Sequence, residues 1–316
     1  VIETFCVSPG FNRAFFPIPT GGRTTSPGNG GRRMAILRLN FYAQTLGMYT
    51  NVLVHIPSFN QGFELEKSLD ELYPANMKFQ TLWLLHGGSD DDSLFQNCTN
   101  VMRYADENKL AVVVPCDYNA SYTDFPRGAK YFKYIAEELW DFMMANFPLS
   151  DKREDNFVAG NSMGGGGATK MALTYPERFA AAVFLSGGGV FRRPVQLDPG
   201  RGPTARHMAF RQRVMALGWP MPTLPKDVER TDPHELLLKA LAEGKKMPKF
   251  FITCGDQDEI AYDSARAAAE YMPTLGLDVY SEFLPGYKHE WDFWDLALRK
   301  AIYEWLPLKR THIIEK

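Results

Sequence analysis

The sequence predicts an α/β fold, a mostly parallel central sheet with helices on both faces. Three observations predict it. Short β-rich runs alternate with helical ones from Met34 onward, one run is continuous and apolar, and glycine or proline punctuates the ends of several. A strand covered by helices on either side reads as an unbroken apolar run. LAVVVP (110–115) is such a run, and FQTLWLLH (79–86), ended by Gly87 and Gly88, reads as another buried strand.

The remaining elements follow in order. AILRLNFYA (35–43) and NVLVHI (51–56), parted by turn residues around Gly47, read as an antiparallel pair at the sheet edge. Residues 128–146 carry Tyr131, Tyr134, Ile135, Leu139 and Phe142 close to helical spacing, and Phe147-Pro148 ends that helix. NFVAG (156–160) is a strand, 163–175 a helix stopped by Pro176, and FAAAVFLSG (179–187) the next strand. KFFITCG (249–255), a helix over 261–272, DVYSEFL (278–284) and a helix over 291–305 complete the series.

Residues 188–247 break the rhythm. They hold Pro194, Pro199, Pro203, Pro220, Pro222 and Pro225, and only short helical stretches such as 205–217 fit inside. An insertion here reads as a cap or lid over the active-site side, or as a long surface loop. As a cap it would bring Trp219, Met221 and His207 toward substrate. Residues 1–33 are rich in Gly, Pro, Thr and Arg, so Met34 is taken as the natural start, preceded by a mostly disordered leader that is appended or extended in frame. Residues 34–316 then form one domain, and removing 1–33 is expected to leave activity and melting temperature unchanged.

Composition narrows the function classes. Of 316 residues, 45% are hydrophobic and 23% charged, ordinary for a globular chain with a large core. A formal net charge of −2 leaves no basic footprint for nucleic acid or an anionic membrane. No apolar run approaches the roughly eighteen residues of a membrane span. Cys6, Cys98, Cys116 and Cys254 lack CxxC spacing, so neither a zinc site nor a disulfide framework is indicated; free thiols in a reducing, cytoplasmic setting are expected.

The chemistry is carried by Gly160-Asn161-Ser162-Met163-Gly164, which matches the G-x-S-x-G nucleophile elbow. By itself the pattern is weak; its context strengthens it, since a strand ends at the first glycine and a helix of small residues follows. The turn is so tight that side chains at either flank would collide with backbone, which Gly160 and Gly164 avoid. The run Gly164 to Gly167 costs about 1 kcal/mol of helix propensity per glycine, and close packing on the sheet would offset it. A serine hydroxyl needs an adjacent base. The order serine, acid, histidine is that of the α/β-hydrolase fold. Among Asp256, Asp258 and Glu259 at the end of a predicted strand, Asp258 is the chosen acid; His289, between a strand and the last helix, is the chosen base. His207 and His234 sit in the irregular insertion, His55 and His86 on upstream strands, and His86 is assigned a structural role in the loop that follows it.

Acyl transfer builds charge on a carbonyl oxygen, so two backbone N–H groups must already face it. Met163, after the nucleophile, supplies one. LLHGGSDDDSLF (84–95) supplies the other, with Gly88 first and Ser89 as runner-up. Asp90, Asp91 and Asp92 lack the alternating spacing of a calcium loop, so they read as solvated loop charges and no metal is expected.

With these motifs in view the chain resembles the putative esterase, or esterase-D-like, family, in particular tributyrin-esterase-type short-chain carboxylesterases. The resemblance runs from about Met34 to the C-terminus on NVLVHIP, LLHGGSDDDS, TNVMRYADENKLAVVVP, AEELWDFMMANFP, VAGNSMGGGGATKMAL, CGDQDEIAY and LPGYKHEWDFWD. It implies a cofactor-free intracellular hydrolase of short acyl esters, often oligomeric, with Ser162, Asp258 and His289 as nucleophile, acid and base. Related branches hydrolyse S-formylglutathione, feruloyl esters or acetylxylan. For a feruloyl or acetyl-polysaccharide substrate, Tyr118, Tyr122, Phe125 and Trp219 could supply aromatic contacts, though core packing explains them equally well. Ser89, Tyr122 and Trp219 are accordingly the candidate substrate contacts. The contrasting reading is a non-catalytic binding protein on the same scaffold.

Overall fold

The computed structural model describes residues 35–58, 66–191, 212 and 232–314. The leader and most of the 188–247 insertion, including Trp219, Met221, His207 and the expected helix at 205–217 apart from Gln212, lie outside the described residues.

Eight strands form one sheet: β1 (Ala35–Ala43), β2 (Met48–Ile56), β3 (Gln80–Leu85), β4 (Leu110–Pro115), β5 (Asn156–Asn161), β6 (Ala181–Leu185), β7 (Lys249–Gly255) and β8 (Val279–Leu284). Their spatial order is β1-β2-β4-β3-β5-β6-β7-β8. β2 runs antiparallel to both β1 and β4, while every pair from β4 to β8 is parallel. This is an α/β-hydrolase sheet, and the expected antiparallel pair forms its edge.

Alternation along the strands divides the core into two layers. Trp83 and Leu85 of β3 point to one face, with Val113, Val158, Phe184 and Ile252; Leu82 and Leu84 point to the other, with Val112, Ala159, Val183 and Phe251. All six residues of β3, β4 and β5 are buried, as the unbroken apolar run of β4 predicts for that strand; β3 and β5 also bury the polar Gln80, Thr81, Asn156 and Asn161.

Helices cover both layers. On the second face lie α1 (Leu94–Cys98) and α2 (Val101–Glu107), two short helices absent from the sequence reading. The first face carries α3, continuous through Tyr131–Lys133, Tyr134–Glu138 and Leu139–Asn146, and α4 (Met163–Thr174). It also carries α5 (Pro233–Ala242) and α6 (Tyr262–Tyr271), through buried Leu237, Ala265 and Ala268. The last helix, α7 (Trp291–Lys300), seats Phe293 and Leu298 in the second layer. Helix α5 corrects the expectation of an irregular insertion to residue 247. Asp232 caps it by accepting the His234 amide at 2.9 Å, and Pro233 occupies its first turn.

The loops that matter leave the C-terminal ends of β3 to β8, the edge where open α/β sheets place their ligand sites.

Candidate active site

Ser162 stands between β5 and α4 with φ +52° and ψ −117°, a backbone conformation L-residues rarely adopt. Such strain costs on the order of 1–3 kcal/mol and persists only where the surroundings enforce it. The glycines show how. A side-chain carbon on Gly160 would lie 2.2 Å from the Gly164 carbonyl oxygen, and one on Gly164 would lie 2.0 Å from that of Leu85. Helix α4 thus starts in direct backbone contact with the end of β3. Gly165 and Gly167 are equally confined, by the Gly187 carbonyl at 2.5 Å and the Tyr122 ring at 2.5 Å. Gly166 alone of the run has nothing within 4 Å. Close packing therefore accounts for three of the four glycines.

From Ser162 a hydrogen-bonded line crosses the sheet edge. Its Oγ lies 2.9 Å from His289 Nε2, and His289 Nδ1 lies 2.8 Å from Asp258 Oδ2. These are the three residues singled out from the motifs, 127 and 31 positions apart in sequence. Asp258 is buried, and its Oδ1 accepts the amides of Ile260 and Ala261, both at 2.9 Å. Burial alone would push its carboxyl up; the bond and charge of His289 and the two amides outweigh that and hold it below the usual carboxylate range. An ionised Asp258 can only accept, so Nδ1 carries the imidazole proton and Nε2 is free to accept from the serine. The His289 side chain keeps 17% exposure while that of Asp258 has none, so the imidazole is reachable from solvent and the carboxylate is sealed. Asp256, the rejected candidate, instead takes the Gly286 amide at 2.8 Å.

The loop after β3 lies against this elbow. A side chain on Gly87 would sit 3.0 Å from Asn161 Nδ2 and 3.1 Å from Asp90 Oδ2, so any residue but glycine would have to push these side chains aside by a few tenths of an ångström. His86 is buried, and its Nε2 accepts the Asp117 amide at 2.8 Å, which leaves Nδ1 as the donor to the Gly87 carbonyl at 2.8 Å. Burial pushes the His86 imidazole down, in keeping with a neutral ring that donates at one nitrogen and accepts at the other. A trans peptide holds its C=O and N–H in opposite directions. Anchoring the Gly87 oxygen to His86 therefore turns the Gly88 N–H away from His86. Met163 is the first residue of α4, where a helix leaves its amides without intrahelical acceptors. The Ser89 amide is occupied: it donates to Asn119 Oδ1 at 2.6 Å.

Two expectations change here. Tyr122 is 1% exposed; its hydroxyl donates to the His86 carbonyl at 2.8 Å and its ring packs on Gly167, so it supports the loop from inside the core and does not face substrate. The three aspartates are not uniformly solvated. Asp91 is exposed and caps Ser93, but Asp92 is buried, and burial of the half-buried Asp90 pushes its carboxyl up to about 6. Tyr118 stays exposed, and Ser89 is exposed with its amide turned away. His234 opens α5 with Nε2 2.6 Å from the Tyr271 hydroxyl. Among the described residues no group of side chains could hold a metal ion, and no helix is long and apolar enough to cross a membrane.

Known proteins are similar to this chain in sequence and fold. A family model described as "Putative esterase" matches residues 57–302. An acetyl esterase of Caldicellulosiruptor saccharolyticus is 27% identical over 274 residues, covering 86% of this chain and 98% of that one. The crystal structure of an S-formylglutathione hydrolase from Staphylococcus aureus is 34% identical, with a TM-score of 0.65, covering 87% of this chain and 99% of that one. A fluorophosphonate-binding serine hydrolase of the same organism, solved with substrate bound, is 33% identical, with a TM-score of 0.66 and coverages of 86% and 98%.

Proposed function

From the premise that this chain belongs to the putative esterase family and is a carboxylic ester hydrolase, we propose that it cleaves short-chain acyl esters through a Ser162–His289–Asp258 triad and an acyl-enzyme intermediate. The observation that carries the reading is the line of bonds at 2.9 and 2.8 Å from hydroxyl to imidazole to carboxylate.

His289 Nε2 takes the Ser162 proton as Oγ attacks the ester carbonyl. The Met163 and Gly88 amides hold the resulting oxyanion. The imidazolium, stabilised by Asp258, gives its proton to the departing alcohol. Water then enters, loses a proton to His289 and attacks the acyl group, which frees the carboxylic acid and restores the serine. No cofactor enters these steps.

A second substrate reading is hydrolysis of the thioester S-formylglutathione, favoured by 34% identity to an enzyme of that name. The feruloyl reading is weakened, because one of its proposed aromatic contacts, Tyr122, is core. A panel of p-nitrophenyl acetate, butyrate and octanoate with methyl ferulate and S-formylglutathione separates these. Short acyl esters are expected to give the highest kcat/KM. A dominant thioester rate would move the assignment to the second reading, and turnover of methyl ferulate alone would refute both.

A further inference from the structure

The loop after β4 is built at unusual cost. Tyr118, Asn119, Ser121 and Tyr122, four of five consecutive residues and none of them glycine, have φ of +49°, +64°, +54° and +52°. Strain of this kind survives only where other contacts enforce it. Here the contacts converge on the segment His86 to Ser89. The Asp117 amide donates to His86 Nε2, the Tyr122 hydroxyl donates to the His86 carbonyl, and Asn119 Oδ1 accepts the Ser89 amide at 2.6 Å. Buried Asp117 ties the loop's own ends, its carboxylate accepting the Tyr122 amide at 3.1 Å. Ser89 also sits at positive φ, +68°.

We propose that Asn119 is a positioning residue for ester hydrolysis: by holding the Ser89 N–H it fixes the peptide geometry of the loop and leaves the Gly88 N–H as the amide that meets the oxyanion. This rests on the esterase reading above. The planar Gly87–Gly88 peptide is pinned at its oxygen by His86, and the next peptide, Gly88–Ser89, is pinned at its nitrogen by Asn119. The Gly88 N–H lies between the two anchors. That N–H is part of the first peptide, so Asn119 steadies it from the far side of Gly88: without the second anchor the Gly88–Ser89 peptide can swing about the glycine's φ and ψ, and the peptide that carries the donor is held by His86 alone. A preorganised donor acts on the transition state, where negative charge forms, far more than on bound ester.

The test compares Asn119→Ala, Asn119→Gly and Asn119→Asp with the wild type on p-nitrophenyl acetate, and measures inhibition by an alkyl trifluoromethyl ketone, whose adduct carries the tetrahedral oxyanion. Losing an oxyanion donor outright costs about 100- to 1,000-fold in kcat; loosening one is expected to cost Asn119→Ala about 10- to 100-fold. KM should stay within about twofold, and ketone affinity should fall with kcat. Asn119→Gly relieves the positive φ yet lacks the acceptor, so it should be impaired as much as the alanine variant. Asn119→Asp keeps an acceptor oxygen and should recover most of the activity. Wild-type kcat in the alanine or glycine variant, a loss confined to KM, or an aspartate variant as damaged as the alanine one overturns the inference. A wild-type protein that turns over no ester overturns the esterase reading itself, and this inference with it.

Discussion

Replacing Asp258 with asparagine probes the site with almost no change of shape. Oδ1 of Asp258 accepts two backbone amides at 2.9 Å, and Oδ2 faces His289 Nδ1 at 2.8 Å. An asparagine has one accepting oxygen, and two N–H groups already wait for it at the Oδ1 position. Its NH2 is therefore turned toward His289. A donor facing Nδ1 forces that nitrogen to accept, which moves the imidazole proton to Nε2, 2.9 Å from Ser162 Oγ. The base then presents a proton where it must receive one. In serine-protease triads this wrong tautomer costs about 10⁴ in kcat, or about 5 kcal/mol of transition-state stabilisation. Initial rates on p-nitrophenyl acetate near neutral pH measure it, with circular dichroism to verify the fold. An Asp258→Asn protein that keeps more than about a tenth of the wild-type kcat would refute the tautomer argument.

Other consequences concern stability and pH. Gly164→Ala should destabilise by about 3 kcal/mol or more in urea unfolding, since its methyl would meet the Leu85 carbonyl at 2.0 Å. Gly166→Ala, two residues on and in open space, should stabilise by up to about 1 kcal/mol; equal effects of the two would contradict the packing account. His55 is fully buried, and desolvation pushes its imidazole from 6.5 down to about 4. The unfolded chain therefore binds that proton more readily than the folded one. Its contribution is fully present above about pH 6.5 and is lost as pH falls toward 4, a total on the order of 3 kcal/mol. The urea-midpoint difference between wild type and His55→Leu should shift in favour of the leucine variant as pH falls through this range; a constant difference would show that His55 does not titrate there.

Much of this was legible in the sequence because the physics is local. β4 is buried on both faces, so LAVVVP reads as an unbroken apolar run, and its boundaries and those of KFFITCG coincide with β4 and β7. The elbow was legible because a sharp turn needs glycine on both flanks, at Gly160 and Gly164. Helix α5 carried a readable start in Asp232-Pro233, but the prolines around it masked the signal. α1 and α2, of five and seven residues, are too short to show periodicity. Nothing in the chain marks Asn119 or Asp117, because each acts on residues about 30 positions away. Tyr122 and Asp92 were misread for a related reason: burial is a property of the folded loop, and aromatic or acidic character alone does not reveal it.

The central claim is that Ser162 is the nucleophile. Labelling the intact protein with a fluorophosphonate and locating the adduct by peptide mass spectrometry tests it directly. The account predicts one adduct, on the peptide carrying Ser162, and neither labelling nor ester turnover in Ser162→Ala. An adduct at another residue, or wild-type turnover by that variant, would contradict it.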